Sequence, residues 1–262
     1  QICDQIGLDS STLDLKAEST KVFLVLQGQL NNVAWPIYDY ETDLKLIMDQ
    51  TARILQAMLE IASDLSLFDT IQQIVHLLQS CTQWCFPNES MLKNMKNFSN
   101  SSFMDLNIND LLKAIHNKAE EIYIPVEVKK YVRNFPYFTY DVELTDGFQI
   151  LTLDSDKTKP KFESQSDVLL MTVKIDLKSR VRTVYAPKVK KDSKIELVII
   201  VGNLNDNSLL HYSRISAKKT QNIKIYLDFK RDRQSFSNLR MLVMHQSFIG
   251  MDFVRDFDVE II

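Results

Sequence analysis

The sequence predicts helices first and an antiparallel β-sandwich after them, and three observations carry that prediction. Up to about residue 88 the apolar residues recur at steps of three and four, the period of a helix face. From Phe138 onward they alternate with polar residues, the period of a strand. The charge balance turns over near the same place: residues 1–140 hold 11 Lys+Arg against 17 Asp+Glu, net −6, and residues 141–262 hold 20 against 17, net +3. The expected organisation is a helical bundle over 1–88, a helix-loop-helix annex over 89–136 and a β-sandwich over 137–262.

Taken in order, Ser19-Thr20 can cap a helix that turns Val22, Phe23, Leu26 and Leu30 to one side, and Trp35-Pro36 ends it, since proline cannot continue a helix. Thr42 and Asp43 then supply the cap and the acidic first turn of a long central helix. Along it Leu44, Ile47, Met48, Thr51, Ile54, Leu55, Met58, Ile61, Ala62 and Leu65 form an apolar stripe wider than a surface helix needs. Several other helices are therefore expected to pack around it. Lys45, Asp49, Arg53, Gln56, Glu60 and Asp64 fall elsewhere on the helix. The next helix repeats the period through Leu67, Ile71, Ile74, Val75, Leu78 and Thr82 and stops at Phe86-Pro87-Asn88.

The annex is built of shorter pieces: Met91 to Met95, then Ile108 to Ala119 with Leu111, Leu112 and Ile115 inward, then a helix opened by Pro125 through Val128, Val132 and Phe135. Seven strands follow, beginning near Phe138, Val168, Ile195, Leu209, Ile223, Leu239 and Val254, an antiparallel sandwich of the usual size. Five glycines serve the whole chain, so Asn and Asp must make most turns, as in Asn203-Leu204-Asn205-Asp206-Asn207. The loop from Asp154 to Ser166 is polar.

The 262 residues are 45% hydrophobic and 25% charged, ordinary for a soluble protein with room for two cores. No apolar run reaches the ~20 residues of a membrane span, and no signal peptide is expected. The chain starts at Gln1, as a fragment of a larger parent would. Cys3, Cys81 and Cys85 make an odd set without disulfide spacing, which points to a reducing compartment. Cys81 and Cys85 could be half of a metal site, but His76, His116, His211 and His245 are scattered, so buried free thiols are the better reading. Sequons at Asn88, Asn97 and Asn100 read as an Asn- and Ser-rich loop in a chain with no secretory features.

Enzyme signatures are absent from the sequence. It has no glycine-rich phosphate cradle followed by Lys-Ser/Thr, no Gly-x-Ser-x-Gly elbow and no His-Glu-x-x-His, and Glu120-Glu121 reads as a solvated helix face. The strongest chemical signal is basic: between Lys174 and Arg240 there are 16 Lys+Arg against 6 Asp+Glu. Clusters fall at Arg180/Arg182, Lys188/Lys190/Lys191/Lys194, Lys218/Lys219 and Lys230/Arg231/Arg233. They suit either a phosphate-tracking surface or solvated loops and strand-edge gatekeepers, and no aromatics are interleaved for base stacking.

Several stretches agree in order with one family. Asp49-Gln50-Thr51-Ala52-Arg53-Ile54-Leu55-Gln56-Ala57-Met58-Leu59-Glu60-Ile61 resembles the central helix of the Sec sixty-three-type unit of large superfamily-two, DExH-box RNA helicases. Thr20-Lys21 with Leu26-Gln27 resembles the family's entry, and Asn134-Phe135-Pro136 with Tyr140-Asp141-Val142 its joint into the sandwich. Val201-Gly202-Asn203, Asn207-Ser208-Leu209-Leu210, Met244 to Asp252 and Phe257-Asp258-Val259-Glu260-Ile261 resemble its later strands.

That resemblance implies an immunoglobulin-like sandwich and a non-catalytic platform, with ATP and Mg bound only by a parent motor cassette. It implies the C-terminal unit of a two-cassette spliceosomal member, located in the nucleus and docking spliceosomal proteins and its own helicase cassettes. The alternative is a direct RNA-binding accessory module of a related cytoplasmic ribosome-associated or meiotic DNA helicase. Arg53, Gln56 and Glu60 lie on a side that a motor or RNA could reach. With Arg180, Arg182, Lys188, Lys190, Lys191, Lys218 and Lys219 they are the candidate contact residues; no catalytic, cofactor-binding or metal-ligating residue is expected.

Overall fold

The chain was analysed in a computed structural model that describes residues 2–35, 37–95, 108–117, 124–152, 160–164, 166–186, 193–229 and 236–261. Six α-helices precede nine strands among these residues: α1 (Ile2–Ile6), α2 (Glu18–Leu30), α3 (Asp39–Asp64), α4 (Phe68–Gln83), α5 (Ile108–His116) and α6 (Val126–Val132), with a 3-10 turn over Met91–Asn94. The strands are β1 (Phe138–Thr145), β2 (Ile150–Thr152), β3 (Lys161–Ser164), β4 (Val168–Leu177), β5 (Glu196–Asn203), β6 (Ser208–Ser216), β7 (Thr220–Asp228), β8 (Phe236–His245) and β9 (Phe253–Ile261). Helices first and strands after is the order expected.

The seven expected strands are present, and two short ones, β2 and β3, join them. Four strands form one sheet in the order β2-β1-β4-β7, and five form a second in the order β3-β9-β8-β5-β6. The expectation of a purely antiparallel sandwich needs correction, because β3 runs parallel to β9, pairing Lys161 with Asp258 through Ser164 with Ile261. Within the loop expected from Asp154 to Ser166, Lys161–Ser164 thus carries sheet pairing; 153–159 and 165 lie outside the described residues.

Two apolar clusters hold the molecule. One gathers the inner faces of both sheets, Met171, Val173 and Ile175 of β4 against Leu197, Ile199 and Val201 of β5, and adds the annex through Leu112, Val128 and Phe135. The other gathers Leu55 and Leu59 of α3, Phe68, Ile71 and Val75 of α4, and Val198, Ile200, Leu242 and Met244 from the opposite face of the five-stranded sheet. β5 and β8 are therefore apolar on both faces, β5 as the uninterrupted run Leu197-Val198-Ile199-Ile200-Val201. The molecule is three layers deep at this point: helices, five-stranded sheet, four-stranded sheet.

Three features fasten α4 to that sheet. Its N-terminal amides are satisfied by the β5–β6 turn, where Asn207 accepts from Phe68 N at 3.4 Å and, through Oδ1, from Asp69 N at 3.0 Å. Asn207 holds φ at 58°, a left-handed value that Asn tolerates. Phe68 is fully buried and lies against Gly202, where an added Cβ would come within 2.2 Å of its ring. A bulge between Val201 and Gly202 turns the strand at this contact. At the other end Trp84 closes α4 in the left-handed region, at φ 57°.

The helix starts and the central stripe depart from expectation. α2 begins at Glu18 behind Ala17, with no side-chain cap, so Ser19 and Thr20 sit inside its first turn. Val22 and Phe23 face out while Val25 is buried. α3 begins at Asp39, three residues before the expected Thr42 cap. On α3 only Leu44, Leu55, Leu59 and Ala62 are buried. Ile54, Met58, Ile61 and Leu65 are 57%, 43%, 58% and 63% exposed. The expected ring of helices around α3 is reduced to α4 on one side and α2 alongside, joined by the Lys21–Asp43 ion pair at 2.7 Å.

Candidate docking site

Ile54, Met58 and Ile61 of α3 and Leu65 at its C-cap are spaced at four, three and four, so they form one row that flanks the buried Leu55, Leu59 and Ala62. Arg53 and Glu60 are exposed beside the row and Gln56 is half-buried. Glu60 lies close enough to β6 for its charge to help raise the Tyr212 phenol, whose main cause is burial. Of the three, Arg53 is the freest to reach another molecule. A largely apolar opening, about 570 Å³, lies between α3 and the end of α4; Leu44, Met48, Leu78 and Trp84 line it, with Lys45 and Asp49 among its polar residues. Exposed apolar surface in a continuous row is the ordinary mark of a partner-binding face.

Four of the basic residues expected from sequence, Arg180, Arg182, Lys218 and Lys219, are brought to one end of the β-layers. β4 ends where Leu177 N donates to Lys219 O at 2.8 Å, and Lys178 N donates to Tyr137 O at 2.8 Å. The β6–β7 turn, with Lys218 and Lys219, thus adjoins the segment carrying Arg180 and Arg182. All four are exposed. Arg182 turns back on its own loop, donating to Ser179 O and Val181 O at 2.8 and 3.0 Å. Lys188, Lys190 and Lys191 lie outside the described residues, as do Lys230, Arg231, Arg233, Glu120 and Glu121.

Sequence reasoning missed the buried polar cluster that joins α4 to the sheet. Gln79 donates to both carboxylate oxygens of Asp252, at 3.0 and 3.1 Å, and to His245 O at 2.6 Å. The His245 amide also donates to Asp252, at 2.9 Å, and its ring Nε2 meets the Tyr140 hydroxyl at 3.3 Å. His76 stands 3.8 Å from the same carboxylate. Burial drives the His245 imidazole down to about 3, so its ring is neutral at neutral pH, and drives Asp252 up to about 6 against the pull of its two donors.

Tyr, His and Asp in contact suggest acid–base chemistry, but His245 is 1% exposed, packed against Phe138 and Phe248. The cluster works as a fastener. Gln83 extends it, donating to Ser247 O at 2.5 Å. The sequence signal was the pair of Gln residues at a four-residue spacing on α4's buried side, where amides need partners from another element. Among the described residues, no group of three or more His, Cys, Asp or Glu could hold a metal ion. Cys81 and Cys85 are buried free thiols, pushed up by burial to about 11 and about 12, and Cys3 is free and buried too. No helix among the described residues is long and apolar enough to cross a membrane.

A helical pair riding on a two-sheet β-layer, with an annex feeding the same core, defines a multi-element unit that presents surfaces. The Sec63 Brl domain matches residues 2–258, and the chain belongs to that family. It is similar to the DExH-box ATP-dependent RNA helicase DExH14 of Arabidopsis thaliana, 25% identical over 96% of this chain and 12% of the relative. It is also similar to Activating signal cointegrator 1 complex subunit 3 of Homo sapiens, 32% identical over 36% of this chain and 4% of the relative. The RQC trigger complex helicase SLH1 of Saccharomyces cerevisiae is 37% identical over 29% of this chain, again 4% of the relative. The chain thus spans between 4% and 12% of the length of these relatives.

Proposed function

We propose that the chain is the accessory docking module of an ATP-dependent DExH-box RNA helicase, and that it regulates the motor without hydrolysing ATP itself. The observation that carries this reading is the exposed apolar row Ile54, Met58, Ile61 and Leu65 beside the packed face of α3. ATP and Mg belong, in this reading, to the motor cassettes. The relatives' names include an activating signal cointegrator complex and an RQC trigger complex, so a parent of that kind is favoured over the spliceosomal one expected from sequence. The strand order β1-β4-β7 opposite β9-β8-β5-β6 supports reading the β-layers as immunoglobulin-like.

The test is co-elution of the chain with the purified motor cassettes of a DExH14-type helicase, together with their ATPase rate. The wild-type chain should co-elute and change the rate. A variant carrying Ile54→Ser, Met58→Ser and Ile61→Ser should lose at least tenfold in affinity, about 1.4 kcal/mol. Cassettes that ignore the folded wild-type chain would sink the helicase reading. Unchanged binding by the triple variant would move the dock elsewhere.

A second reading, RNA contact at the basic end, rests on the convergence of Arg180, Arg182, Lys218 and Lys219. Phosphate contacts release counterions, so replacing Lys218 and Lys219 by Glu should flatten the salt dependence of RNA binding by roughly one unit of slope per lost contact. An unchanged slope removes that surface from consideration.

A further inference from the structure

Two sheets present four outer strands, and three of these are protected. β2 has three residues and β3 has four, too short to template another strand. β6 is longer, but β5 pairs with it through a bulge. The helix connection also closes its start: Leu209 N donates to Ser66 O at 3.0 Å, and Leu67 bridges to Ser208. β7 has none of these devices. It runs nine residues, pairs with β4 at nine consecutive positions from Thr220 with Asp176 to Asp228 with Val168, and contains neither proline nor bulge. No described strand pairs with its other side.

Its outward side chains state what would fit there. Asn222, Lys224 and Tyr226 project from the outer face of the sheet, all exposed, Tyr226 by 67%. Tyr226 ends a row that crosses the sheet as Ile150, Thr145, Leu170 and Tyr226, each paired with the next. One more strand would extend this row with a fifth side chain and cover the tyrosine ring. Lys224 pairs with Thr172 and has no ion-pair partner among the described residues. Lys218 and Lys219 precede the strand and add positive charge at its start.

We propose that the free edge of β7 accepts an extended acidic segment of a partner protein by strand addition. The partner contributes a carboxylate side chain opposite Lys224 and a β-branched or aromatic side chain opposite Tyr226, because directly opposed pairs of these kinds stabilise neighbouring strands. Backbone hydrogen bonds supply the attachment and the two side chains supply the selection. This surface is distinct from the α3 row and does not depend on which helicase is the parent.

The experiment follows amide hydrogen exchange residue by residue across the 262-residue chain, with short peptides alternating Glu and Val, or Lys and Val, in large molar excess. The Glu–Val peptide should slow exchange within β7 and leave α3 unchanged. The Lys–Val peptide should bind roughly fivefold more weakly, the ratio of about 1 kcal/mol for a cross-strand pair. Lys224→Glu, checked for unchanged unfolding in urea, should reverse that preference. Absence of β7 protection with the Glu–Val peptide, protection confined to another edge, or an unaltered preference in Lys224→Glu would overturn the proposal. So would concentration-dependent β7 protection without peptide, which would make the occupant a second copy of this chain.

Discussion

The two long helices lie side by side and differ in how completely they are used. α4 buries Phe68, Ile71, Ile74, Val75 and Leu78, and even its polar Gln79, Ser80 and Gln83, because a sheet lies beneath it and α3 beside it. α3 is ten residues longer, 26 against 16, yet buries only four side chains. The difference is one of layers. A helix between a sheet and another helix must satisfy every group it turns inward, polar ones included. A helix on the outside can leave an apolar row open for another molecule. Burial on α4 is structural, then, while exposure on α3 leaves open the row that the proposed docking would use.

That contrast predicts unequal responses to the same chemistry. The largest effect is expected for Leu55→Asp, which places an unpaired carboxylate in the cluster shared by α3, α4 and the sheet; the loss should be several kcal/mol, enough to abolish the cooperative urea transition. Next is Phe68→Ala, at about 3–5 kcal/mol. Gly202→Ala should cost about 1–3 kcal/mol alone, since its Cβ would stand 2.2 Å from the Phe68 ring. In the Phe68→Ala background the same glycine change should cost little. Additive losses in the double variant would show that Gly202 is not kept small by that ring.

The α4 fastener gives an intermediate effect that depends on pH. His245 is lowered to about 3 from 6.5, so its contribution is present above pH 6.5 and is lost as pH falls toward 3. Asp252 is raised to about 6 from 3.8, so its contribution has the opposite sign: it is present below pH 3.8 and is lost as pH rises through 6. Between pH 6 and 4 the two offset each other. Asp252→Asn removes one side of that balance. The variant should lose about 2 kcal/mol more than the wild type on going from pH 6 to pH 4, measured by urea unfolding at each pH. Parallel pH profiles for the two proteins would mean that Asp252 does not carry the opposing proton.

How much of this was legible depends on whether the signal is local. Period and turn chemistry placed every long strand, and the Asn203 to Asn207 turn is where it was expected, because strands of alternating residues and Asn-rich turns are decided by near neighbours. β2 and β3 escaped because three or four residues are too few to show a period. The cover over α3 was misjudged for a different reason. An apolar residue on a helix face reads the same whether the next helix belongs to the core or to a partner, so Leu55 and Ile54 are indistinguishable in sequence. One signal could have redirected the reading. The uninterrupted run Leu197 to Val201 requires cover on both faces of its strand, which assigns α4 to the sheet and leaves α3 with one packed side. The Asp252 fastener joins residues 173 apart in sequence and carries no local mark.

The smallest expected effect on stability is also the one that separates the two readings of α3. Ile54→Asp differs from Leu55→Asp by one position along the helix, and the helical turn places it on the exposed row, 57% accessible against 5%. A carboxylate there stays hydrated, and α3 keeps its contacts with α4 and the sheet. The change should therefore shift the unfolding free energy by no more than about 0.5 kcal/mol, the usual range for a surface substitution. If the row were part of an internal core, Ile54→Asp would cost as much as Leu55→Asp, and the two urea midpoints would fall together. A near-native midpoint for Ile54→Asp alongside lost binding to a helicase cassette would tie the row to recognition, since a substitution that leaves the fold intact can weaken the complex only at the surface it alters.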